Sequence, residues 1–169
     1  MTLPQQCLLR GLVPVTVGLV CVTILGCGNN PEPLSFGANQ ELAPVRHVYT
    51  HPVIVAGADC GLVEYGEENS ALTYLAEQHA DSMASRQHQD HKGWERRYSC
   101  IIGATEASEI CAESWPGKSK EEAAAGCWED WRQSPSHWRT ANGKPKWYGV
   151  AMSQGRNGIW YVCIIAVWE

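Results

Sequence analysis

The segment that most restricts the fold is the last one, Ile159 to Trp168, which reads IWYVCIIAVW and carries no charge. An antiparallel strand with one face in water alternates apolar and polar residues, so a strand apolar at every position is central and covered on both sides. Trp147 to Gln154 precedes it, and the intervening Gly155-Arg156-Asn157-Gly158 supplies the positive backbone angles of a four-residue turn. The two segments predict a hairpin. Its covers are predicted upstream. From Asn69 to about Arg86, Leu72, Leu75, Ala76, His79 and Met83 recur at helical spacing, with Glu67, Glu68 and Asn69 at the positive end. His79 falls on that stripe and reads as a packed, hydrogen-bonded histidine. A second helix opens at Ser119, with Glu122 three residues on as a capping box, and carries Ala123, Cys127 and Trp131 on one face until Pro135 stops it. Helices above and below the sheet give the expected fold, an α/β, three-layer α/β/α sandwich with a central, largely antiparallel sheet.

The first half of the chain differs in kind. Arg10 is its only charge before Glu32, and Gly11 to Gly26 is an apolar run too short to span a bilayer comfortably and of the right size for a secretory leader. Residues 1–26 are thus expected to be a signal peptide. Ile24-Leu25-Gly26-Cys27 resembles the lipobox of bacterial lipoproteins, which implies acylation of Cys27 and a tethered position in the cell envelope; cleavage without lipid, giving a secreted protein, is the alternative. Two acyl chains on one residue suffice for stable anchoring. Residues 27–44, rich in Gly, Asn, Pro and Glu, read as a flexible tether, and residues 45–169 as the folded domain.

Export makes disulfides the default for the cysteines that remain, Cys60, Cys100, Cys111, Cys127 and Cys163. Five permit at most two bridges, and Cys127, on a helix face, is the candidate for the thiol left over. There is no CxxC pair to suggest a zinc ribbon. The 13 Lys and Arg against 18 Asp and Glu give a net charge of −5, which argues against non-specific nucleic-acid binding, while 44% apolar residues argue against disorder.

The order LAEQHADSMA, DHKGWERR, ASEICAES, WEDWRQSPSHW, YGVAM and GIWYVCIIAVW resembles the CAP superfamily, the cysteine-rich secretory, antigen 5 and pathogenesis-related (SCP-like) proteins, in its bacterial branch. The resemblance runs from about Leu72 to Trp168 and implies the same three-layer fold. It also implies one concave site lined by His91, Glu109 and His137, with His88 competing with His91 for the first place and Gly93 and Arg97 favouring the His91 register. The family's Asn is missing after Glu109, Ser136 stands where Gly is usual, and no second eukaryotic-type His occurs near Tyr161.

Two imidazoles and a carboxylate suit an exchangeable divalent ion such as zinc, with His91 and His137 as ligands, although no cofactor is required by the pattern. They suit equally a proton-transfer pair or a structural hydrogen-bond network. The leading expectation is a binding module for an unknown lipid, glycan or peptide, with Trp115, Trp138 and Trp147 in loops as candidate contact faces and Trp131 and Trp168 as core. The alternative is a metal-dependent or His/Glu hydrolase acting on a cell-envelope or extracellular substrate. No GxSxG, HExxH or Cys/His signature supports it, and no catalytic residue is assigned.

Overall fold

The computed structural model describes residues 34–35 and 51–169. The expected leader, Cys27 and the rest of the expected tether lie outside the described residues. In chain order the elements are β1 (Leu34–Ser35), α1 (Pro52–Ala56), α2 (Gly61–Tyr65), β2 (Glu67–Glu68), α3 (Ser70–Arg86), α4 (Trp94–Ser99), β3 (Ile101–Ile102), β4 (Glu106–Glu113), α5 (Lys120–Gln133), α6 (Pro135–Ala141), β5 (Trp147–Gln154) and β6 (Trp160–Trp168). None of the described helices is long and apolar enough to cross a membrane. Two residues of the range expected to be tether are engaged: Leu34 and Ser35 run parallel to Ile101 and Ile102.

The main sheet has the order β2-β5-β6-β4. β6 lies between two antiparallel neighbours, in register Trp147↔Val167 to Gln154↔Trp160 on one side and Glu106↔Trp168 to Glu113↔Tyr161 on the other. Only the two-residue β2 runs parallel, beside the start of β5. The sheet is therefore largely antiparallel, and β4 is an edge strand among the described residues. Alternate residues of β6 enter two cores. Val162, Ile164 and Ala166 meet Val53, Ile54, Leu62, Ala124, Trp128 and Trp131 of the α1, α2 and α5 layer. Tyr161, Cys163, Ile165 and Val167 meet Leu72, Leu75, Ala76, Ala80 and Met83 of α3.

Local signals account for the helix ends. The Asn69 side chain accepts from the backbone N–H groups of Ala71 and Leu72, and Gln87 closes α3 in the left-handed conformation (φ 53°). Ser119 and Glu122 form both halves of the capping box on α5. Pro135 ends α5 as expected but opens α6 at the same time. Proline at the first helical position has no N–H to forfeit and its φ is already set. His137 and Trp138 are therefore helical, which corrects the expected loop position of Trp138.

The tryptophans divide accordingly. Trp128 and Trp131 are buried edge to face with ring centroids 5.1 Å apart, their indole N–H groups donating to the carbonyls of Val53 and Cys111. Trp138 and Trp168 pack against the first core and Trp147 against the second. Of the three expected contact faces only Trp115 is largely exposed, at 80%. The five described cysteines are all buried thiols, so the expected disulfides are absent among the described residues. Cys60 and Cys127 belong to the first core and Cys100, Cys111 and Cys163 to the second, where Cys111 and Cys163 are cross-strand neighbours that remain thiols.

Candidate functional site

On β4, Glu109 and Cys111 are two residues apart and share the face turned toward α3, because side chains on a strand repeat with period two. Cys163 on β6 is the register partner of Cys111. The stripe of α3 brings His79 over the same spot, while the segment after α3 supplies Asp90 and His91, and α4 supplies Arg97.

Glu109 is the centre of the arrangement. It is 8% exposed and accepts three hydrogen bonds: from His91 Nδ1 to Oε1 at 3.0 Å, and from Arg97 Nε to Oε2 at 2.7 Å and Nη2 to Oε1 at 2.8 Å. The third nitrogen of Arg97, Nη1, donates to the Lys92 carbonyl at 2.9 Å. His79 Nε2 donates to the Asp90 carbonyl at 2.8 Å and lies 3.7 Å from Glu109 Oε1. The Cys163 thiol approaches Glu109 Oε2 at 3.8 Å. Asp90 is itself held by a two-pronged Arg86 contact, at 2.5 and 2.9 Å.

These contacts set the charges. Burial works against ionised Glu109, but the hydrogen bonds from His91 and Arg97 outweigh it and hold the carboxyl below its ordinary range. Contact with Cys111 and Glu109 pushes His91 up to about 10. Burial would lower His79; Cys111, the Asp90 carbonyl and Glu109 raise it instead. Burial, and then the contact with Cys111, keeps the proton on Cys163, and by hydrogen bonding with it Cys111 falls below the usual thiol range, helped by His79 and His91. His137 is lowered by burial and by the neighbouring His91 charge.

The structure thus places His91 and Glu109 in direct contact and sets His137, from α6, with its ring centroid 6.4 Å from that of His91. His88 is exposed and no contact ties it to the cluster. His79 is packed and hydrogen-bonded, as its place on the stripe predicts, yet it also belongs to the cluster. Cys111 and Arg97 were missed as members. The period-two pairing of Cys111 with Glu109 was the available signal for one; for Arg97 the sequence offered only its register with His91. His79, Glu109 and Cys111 each present a donor atom, all within 4.8 Å of one another and all buried, and this group could hold a metal ion.

Beside the cluster, between α3 and α4, lies a cavity of about 380 Å³. Leu75 and Cys100 give it apolar wall, His79 and Arg97 back it against the cluster, and Arg86, Lys92 and Arg96 supply further positive charge. Arg86 and Arg97 are neutralised by Asp90 and Glu109, whereas Lys92 and Arg96 have no carboxylate partner among the described residues.

No protein-family model matches the chain, and no curated protein matches it. Among solved structures, an outer surface protein from Borrelia burgdorferi is similar in fold, with a TM-score of 0.56 and 13% identity over 71% of this chain and 94% of that one. Venom allergen-like protein 4 from Schistosoma mansoni aligns with a TM-score of 0.44 and 10% identity over 68% of this chain and 84% of that one. The chain thus shares its fold with the Borrelia outer surface protein.

Proposed function

We propose that the chain is an exported, membrane-tethered CAP/SCP-like binding module that takes a small anionic molecule with a short apolar stem in the cavity between α3 and α4. The observation that carries this reading is the cavity itself. Its volume of about 380 Å³ falls in the range of small-molecule sites, and its lining combines an apolar wall with Lys92 and Arg96, two cations without carboxylate partners among the described residues in a chain of net charge −5. A carboxylate or phosphate would meet those cations while its stem lies on Leu75 and Cys100.

The cluster behind the cavity favours binding over hydrolysis. Both Glu109 oxygens are engaged by hydrogen bonds from His91 and Arg97, which leaves the carboxylate poorly placed to take a proton from a substrate or water, and the hydroxyls of Ser134 and Ser136 bond to each other at 3.3 Å rather than to His137. Export and tethering rest on the apolar leader and the Ile24-Leu25-Gly26-Cys27 junction, and the Borrelia neighbour in fold is an outer surface protein. A diacylated N-terminal Cys27 in the mass spectrum of membrane-extracted protein is the expected product.

Calorimetric titration with hexanoate, hexyl phosphate and hexanol tests the ligand class. Either anion should bind, hexanol should not, and the Lys92→Ala/Arg96→Ala variant should weaken the anion by about tenfold or more. Equal affinity for hexanol would remove the electrostatic basis of the proposal. A generic esterase and peptidase screen, run alongside, should be blank.

A further inference from the structure

Behind the wall of the proposed ligand cavity, the densest collection of metal-ligating side chains among the described residues gathers at Cys111. Its sulfur, a His79 nitrogen and a Glu109 oxygen lie within 4.8 Å of one another, and Cys163 stands directly across the β4–β6 pair with its sulfur 3.8 Å from Glu109 Oε2. The other described thiols have no such company. Cys100 donates to the Arg96 carbonyl at 3.3 Å, and Cys127 is enclosed by apolar side chains of the first core.

We propose that Cys111, His79 and Glu109 bind a thiophilic divalent cation of the zinc class, with the fourth position left to water. The ion belongs behind the open His91 and His137 pair rather than on it. Tetrahedral ligands at bond lengths of about 2.0 Å for N and O and about 2.3 Å for S lie roughly 3.3 to 3.8 Å apart. The His79–Glu109 separation of 3.7 Å already has that spacing, and no two donors are more than 4.8 Å apart, so a contraction of up to about 1 Å suffices, which side-chain rotation supplies. One thiolate and one carboxylate offset a charge of +2 in a buried place where an uncompensated ion would be costly. Arg97 acts as an outer partner that fixes the carboxylate plane through Oε2.

The ion is exchangeable rather than structural. Among the described residues every buried side-chain N or O atom already has a hydrogen-bond partner, so the metal-free fold is satisfied. Ligation by His79 Nε2 gives up its bond to the Asp90 carbonyl, which moderates affinity. The site shares His79 and Arg97 with the wall of the cavity, but its readout is spectroscopic and needs no anion.

Cobalt(II) titration of the reduced full-length chain is the test. One equivalent should produce sulfur-to-cobalt charge transfer in the near ultraviolet and tetrahedral ligand-field bands in the visible. Cys111→Ser should abolish the charge transfer and weaken binding by at least about tenfold, His79→Gln should weaken it comparably, and Cys127→Ser and His137→Ala should leave it within about threefold. Absence of charge transfer in the wild type, its survival in Cys111→Ser, or its loss in His137→Ala would overturn the proposal. Should Cys111→Ser fail to fold, the wild-type spectrum together with His79→Gln and Cys127→Ser decides the matter.

Discussion

Glu109 shows how a buried charge is made tolerable. Taking a carboxylate to 8% exposure costs several kcal/mol of lost hydration, and the three hydrogen bonds from Arg97 and His91 offset that cost only while all are in place. His91 is the more exposed partner, so its share is modest and depends on pH. Its folded-state value of about 10 lies above the ordinary 6.5, so the folded chain holds this proton more tightly than the unfolded one. Its contribution is complete below about 6.5 and is lost as pH rises through 10. His91→Gln, which keeps a donor but does not titrate, should melt about 2 to 4 °C below wild type near pH 6, equivalent to roughly 1 kcal/mol after allowance for solvent screening. The gap should close by about pH 10.5 in melts run with EDTA; a gap that persists there would mean that the proton is not what His91 contributes. Sequence made His91, Glu109 and His137 legible because their motifs occur in a known order. His79 was hidden by its own position, since a histidine on an apolar stripe looks the same whether it serves packing or a cluster. Cys111 was hidden because a buried thiol in a strand is ordinary until its cross-strand partner is known.

At the scale of elements, the contact between α3 and β5 holds the second layer in place. A Cβ built on Gly149 would stand 2.1 Å from the backbone carbon of Leu72 and 2.2 Å from the Thr73 nitrogen, so helix and strand approach closely enough to exclude even a methyl group. Gly149→Ala cannot be relieved by a change of rotamer because the obstacle is backbone; it should cost about 2 kcal/mol or more in urea denaturation. Gly126→Ala, on the exposed side of α5 with nothing within 4 Å of the added carbon, should gain up to about 1 kcal/mol. If both variants shifted the midpoint in the same direction, the close approach would not be what distinguishes them. α3, α5, β5 and β6 were legible because each is long enough for its period to show. α1 and α2 have five residues each, less than two turns, and PVIVA in isolation resembles a strand. α4, WERRYS, has no buried residue and hence no stripe, and α6 follows the very proline that signals the end of α5.

Across the whole molecule, β6 divides the interior into two cores and is the most protected segment, with a strand on either side and helices over both faces. β4 is different. It pairs with β6 alone among the described residues, yet it carries Glu109 and Cys111. Amide hydrogen exchange should therefore be graded: slow through β6, faster along β4, with cobalt loading slowing β4 and leaving β6 unchanged. Uniform protection of the two strands would contradict this. The position of β4 also bears on how donors that are 2% and 8% exposed become reachable at all. An outermost strand can detach from its single neighbour without dissolving either core, and such excursions need far less free energy than complete unfolding. Uptake should then be gated: at high cobalt concentration its rate should level off at the frequency with which β4 peels away. A site seated on the rim of a sheet is filled at the pace of that rim, however deeply its donors lie.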